Sequence, residues 1–168
     1  MPKGLKETSG LITIGFSQTE SAANTFTQDT VDLQLNVLDR EVFVVYGIAL
    51  DISSPDFAAG TDTAVFASVS TTSRTSVGNL GDSNVLATGA NELVAGAAEA
   101  APFQYASNDT IPTQLEYMGI IATNDFFVQV VGSNNASAKT VSGKLYGVRA
   151  QASADVFAAL TQSELLSA

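Results

Sequence analysis

Two runs of alternating residues, DFFVQVV and TVSGKLYGVRAQ, flank a polar loop at residues 132–140. Phe127, Gln129 and Val131 alternate with Phe126, Val128 and Val130; Val141, Leu145 and Arg149 alternate with Ser142, Lys144, Tyr146 and Val148. A period of two is the signature of a half-buried strand, so the pattern predicts a β-hairpin. TFTQDTVDLQLNVLD repeats the signal, with Val31, Leu33, Leu35 and Val37 on one side and Asp32, Gln34 and Asn36 on the other. The next stretch, REVFVVYGIALDI at residues 40–52, is apolar on both faces and predicts a central strand covered from both sides. Its β-branched and aromatic content, with Gly47 inside, disfavours a helix.

Pro55 and Gly60 mark residues 53–63 as a loop, and AVFASVSTTSRTSV at 64–77 predicts the strand after it. Periodicity fades over residues 78–101, where NELVAGAAEAA predicts a short helix ending before Pro102, at a cost of about 1 kcal/mol for Gly96. A turn cluster at 108–112 precedes TQLEYMGIIATND, residues 113–125, which reads as another central strand. SADVFAALTQSELLS predicts a closing amphipathic helix, with Ser153 as N-cap, Asp155 in the first turn, and Val156, Phe157 and Leu160 at helical spacing. Residues 1–24 read as an extended N-terminal arm around one apolar patch, LITIGF. The expected fold is all-β, a two-sheet antiparallel sandwich of jelly-roll type over residues 25–168, with the arm in front and the short C-terminal helix behind. No repeat of a length that builds solenoids or propellers is visible.

Composition narrows the partners. Hydrophobic residues make up 45% of 168, with nine Phe and no Trp, enough for one ordinary core without disulfides, since Cys is absent. The formal charge is -10, and between Arg74 and Lys139 there are acids but no base. Nucleic acid and anionic membranes both require Lys or Arg against phosphate, so neither is an expected partner for most of the surface. LITIGF is too short for a signal-peptide core, and no run reaches the roughly 20 residues that span a bilayer.

The absence of histidine removes the usual general base, the Ser-His-Asp triad and His-containing zinc sites. Carboxylate pairs remain: Asp39 and Glu41 flank Arg40, and Glu116 adjoins Tyr117, but solvated strand ends account for them. Calcium needs only oxygen ligands, which Asp56, Asp62, Asp82 and Asn84 supply in loops, yet the spacing is not that of an EF-hand and plain Asx-turns account for it. Asn108 and Asn135 head chance matches to the glycosylation pattern. Arg74 and Arg149 are isolated cations in strand-like segments, read as exposed stems or partners of local carboxylates, with an inter-subunit ion pair as the other use. The expectation is no enzyme, no catalytic residue and no cofactor.

In its arm at 1–24, its strand series over 25–152 and its terminal helix at 155–166, the chain resembles the small single-jelly-roll coat proteins of icosahedral, tailless prokaryotic viruses. The resemblance implies a capsid or capsid-decorating subunit of a virion, made in host cytoplasm without a signal peptide and assembling with copies of itself and a second coat protein. It makes Leu11, Ile12, Ile14 and Phe16 of the arm candidates to augment a neighbouring sheet, with Arg74 and Arg149 as further inter-subunit contacts. The weak basic character of the arm departs from that pattern and argues against genome binding. The competing class is a lectin-like or calcium-dependent binding module; a carboxylate enzyme acting through Asp39 or Glu116 is the third.

Overall fold

The computed structural model describes residues 1–106 and 115–166. Among the described residues ten strands form: β1 (Leu5–Glu7), β2 (Ile12–Thr19), β3 (Thr27–Asp32), β4 (Glu41–Ile52), β5 (Thr63–Ser70), β6 (Val85–Ala95), β7 (Ala100–Ala106), β8 (Gly119–Ile121), β9 (Asp125–Ser133) and β10 (Thr140–Ala152). Helix α1 (Ala154–Leu166) ends the described chain. One sheet runs β2-β10-β4-β8, with β1 pairing farther along β10; the other runs β3-β9-β5-β6-β7. All pairings are antiparallel, and the chain crosses from sheet to sheet between β2, β3, β4 and β5 and again between β7, β8, β9 and β10. That order is a jelly roll, as the alternation pattern led us to expect.

The core lies between the sheets, where Phe43, Val45, Val65, Val69, Ile121, Phe126, Val128, Val130 and Leu145 are essentially sealed from solvent. Each such side chain contributes about 1.5–3 kcal/mol relative to exposure. Strand β4 is apolar on both faces for two reasons. Val42 and Val44 face outward into a second cluster with Ala122, Val148, Ala150 and the helix residues Val156, Phe157 and Leu160. The register then slips opposite Tyr146/Gly147, leaving Tyr46 without a partner, so the inward row passes from Phe43 and Val45 to Ile48. Two glycines of β10 give rings room: Phe16 packs on Gly143 and Phe43 on Gly147, each where a Cβ would stand.

Several expectations are corrected. Residues 125–151 are not a hairpin, because β9 and β10 lie in opposite sheets and residues 134–139 cross between them. The helix expected in NELVAGAAEAA is instead the β6–β7 hairpin, whose turn Gly96 closes by donating to the Glu99 carbonyl at 2.8 Å. Of the strand expected at 113–125, residues 113 and 114 fall outside the described residues with the turn cluster at 108–112, and within 115–125 the strand is confined to β8, with Asp125 opening β9. Strand β5 stops at Ser70, which takes Arg74 out of the sheet. The β3 ladder stops at Asp32, because Gln34 adopts a left-handed φ of 53° and the Asn124 side chain takes the Leu35 N–H at 2.6 Å. Leu33 and Leu35 stay buried, but Val37 turns out to solvent.

The segment expected as a separate arm is largely part of the sandwich. Residues 5–7 and 12–19 pair with the chain's own β10. Helix α1 forms at the expected place but lacks one clean apolar stripe: Leu165 and Leu166 are exposed while Glu164 is buried against the sheet. Burial pushes the Glu164 carboxyl above its ordinary range, against the N–H groups of Ala122 and Thr123 that bind its oxygens.

Candidate functional site

Three loops meet at one end of the sandwich: residues 20–26, 53–62 and 134–139. The register that sets Thr19 and Ile52 opposite Thr140 and Val141 brings them there. Asn24 and Asn134 take left-handed backbone, with φ of 59° and 57°, a conformation asparagine tolerates well. At the centre lies Glu20, buried, whose Oε1 accepts the N–H of Gly132 at 2.6 Å and of Thr25 at 3.0 Å. Its Oε2 accepts the N–H of Lys139 at 2.8 Å. Asn135 spends its side chain holding the same loops, donating to the Ala64 carbonyl and accepting from the Asp56 N–H, so its amide is no free acceptor for a glycan.

Asp56 completes this end. Its Oδ1 accepts from Lys139 Nζ at 2.6 Å and its Oδ2 from the N–H and hydroxyl of Ser137. The Lys139 and Ser137 bonds hold the Asp56 carboxyl down, at about 2 against an ordinary 3.8. A lowered carboxyl pKa stabilises the fold above its unfolded value and loses that contribution as pH falls through the folded one. Wild type is therefore expected to lose stability relative to Asp56→Asn as pH drops from 3.8 to about 2, measured by urea midpoints across that window. A constant difference between the two proteins would refute the assignment.

Arg74 anchors a second cluster, on the outer face of the β3-β9-β5-β6-β7 sheet. Residues 71–84 fold over that face and bury a polar row: Ser68 donates to Gln129 at 2.7 Å, and Gln129 donates to Ser70 at 2.7 Å and to Gln28 at 3.0 Å. The Arg74 guanidinium bonds Asp82 at 2.6 Å and Asn84 at 2.9 Å. The four oxygen-bearing residues offered as calcium ligands thus do not converge. Lys139 occupies Asp56, Arg74 occupies Asp82 and Asn84, and Asp62 caps the Ala95 N–H. Among the described residues no cluster of three or more acidic side chains is placed to hold a metal.

Arg149 also has local partners, bonding the Leu33 carbonyl at 2.9 Å and Glu41 at 3.4 Å. Glu41 is engaged in addition by the Asn36 N–H, Asp39 by the Asn36 amide, and Glu116 stands mostly in solvent. Asp39 and Glu41 thus hold the turn at Asn36, while Glu116 pairs with the amino group of Met1 at 3.5 Å. Ile12, Ile14 and Phe16 turn into the chain's own core, and of the large apolar residues in that patch Leu11 alone is exposed. Both arginines are thus used within the chain, the local-carboxylate reading of the sequence. Glu20, Asn24 and Lys139 carried no sequence signal beyond their residue types, because their partners lie far away in the chain: the Gly132 and Lys139 N–H groups for Glu20, the Asn135 backbone for Asn24 and the Asp56 carboxylate for Lys139.

The chain matches no protein-family profile and no curated protein sequence. A solved structure of Desmodium yellow mottle tymovirus is similar to it over 92% of this chain and 95% of that chain, at 16% sequence identity and a TM-score of 0.38. At that score the likeness carries no argument about function.

Proposed function

We propose that this chain is a structural subunit of a viral shell, a capsid or capsid-decorating protein that assembles with copies of itself and works by contact, without catalysis. The observation that supports this reading is the jelly-roll strand order joined to a surface whose large apolar groups are scattered over several faces: Leu11, Leu38, Phe57, Tyr105 and Leu166 are all exposed. One ligand groove would gather such groups; contacts on several sides would spread them. The inference from fold to role is by analogy. Location in the virion, a second coat protein as partner and a prokaryotic host belong to the same proposal.

Light scattering and negative-stain microscopy of the expressed chain, alone and co-expressed with its genomic neighbours, test it. Discrete oligomers or closed particles are expected. A strict monomer under all those conditions, together with calcium-dependent glycan binding, would replace the shell reading with the binding module.

A further inference from the structure

The two sheets end in unlike strands on opposite flanks. β2 is the outer strand of its sheet and packs over β3 and β9, whereas β7 lies beyond β6 and past the facing sheet, exposed along its whole length on both faces. Among the described residues nothing pairs with the outer edge of either strand. Neither carries a charge: β2 reads ITIGFSQT and β7 reads AAPFQYA. The other edge of the β7 sheet, β3, carries Asp29 and Asp32, and β8 is only three residues long. Proteins ordinarily protect free edges with charge, because unpaired N–H and C=O groups are a template for another strand. In a chain of net charge -10, like copies repel wherever acids meet, and two long neutral edges are where copies can approach.

Side chains fix the direction. Tyr105, near the end of β7, joins Phe66, Val77 and Leu80 around an apolar groove of about 350 Å³. Leu11, 67% exposed, directly precedes β2. Antiparallel addition brings the start of β2 to the end of β7, and so Leu11 to that groove; parallel addition would bring Thr19 there instead. We propose, on the basis of the shell reading above, that β2 of one copy adds antiparallel to β7 of the next, with Leu11 seated against Tyr105. Pro102 has no N–H to offer, as befits an edge strand, and the remaining residues of β7 carry the ladder. Because the donor and acceptor edges differ, the contact is head-to-tail and closes into rings or continues into larger assemblies.

Two variants at exposed positions test this: Phe103→Glu/Tyr105→Glu blocks β7, and Leu11→Glu/Thr13→Glu blocks β2. Circular dichroism checks that each keeps the wild-type fold, and light scattering reads the mass. Wild type is expected to form oligomers and each variant alone to be a monomer, while an equal mixture forms a dimer from the one free β2 and the one free β7. Self-association of the β2-blocked protein alone, or a mixture that stays monomeric, overturns the head-to-tail contact. Wild-type oligomers that survive both pairs of substitutions overturn the edge contact and leave the shell reading standing; a monomeric wild type overturns the edge contact, and one that stays monomeric when co-expressed with its genomic neighbours overturns the shell reading as well.

Discussion

Replacing Glu20 by Ala is expected to lower the unfolding free energy by about 3–5 kcal/mol and Tm by roughly 6–20 °C. The carboxylate is buried and receives the N–H groups of Thr25, Gly132 and Lys139, which lie on three different segments. Truncation removes one acceptor group and strands three donors, each costing about 1–3 kcal/mol if water does not reach it. Glu20→Gln is the informative intermediate: its carbonyl oxygen keeps part of the acceptor role, but its NH2 faces a backbone N–H, so it should recover only part of the loss. Urea unfolding of the three proteins measures the series. A Glu20→Ala loss below about 1 kcal/mol would mean that the loops hold together without the carboxylate.

Gly147→Ala is the second large effect, expected at about 3 kcal/mol, the upper range for overpacking a dense core. A Cβ there meets the Val44 carbonyl oxygen and the ring of Phe43. Neither gives way easily: the carbonyl belongs to the neighbouring strand, and Phe43 is fully buried within the core cluster. Gly15→Ala is the matched control, since a Cβ at that position meets nothing within 4 Å. It should change stability by less than about 0.5 kcal/mol. Equal losses from the two substitutions would show that general strand propensity, not the packing of Phe43, sets the requirement for glycine at 147.

How far the sequence could be read depends on whether a signal was local. Alternation identified β3, β9, β10 and part of β5, and apolarity on both faces identified β4, because side-chain direction in a strand is fixed by the strand's own period. It misread NELVAGAAEAA, where small residues fit a helix or a strand equally and the pairing with β7 decided the outcome. Ser68 and Gln129 lie on the outer face of their sheet, yet both are buried, under residues 71–84, through contacts that no local window contains. Arg74 and Arg149 were legible as cations in need of a carboxylate, but their particular partners were not.

The chain by itself determined that it would be an all-β, acidic, cysteine-free domain without imidazole chemistry, since periodicity, charge and residue inventory do not depend on what lies next to what. Only the tertiary structure decided that residues 125–151 split between two sheets, that the N-terminal segment closes its own sheet, that the chain's own lysine and arginine occupy the loop oxygens, and that β2 and β7 are left as neutral edges. Each of those outcomes is a pairing between residues far apart in sequence. The backbone and side-chain groups that satisfy such a pairing exist near one another only once the whole chain has folded.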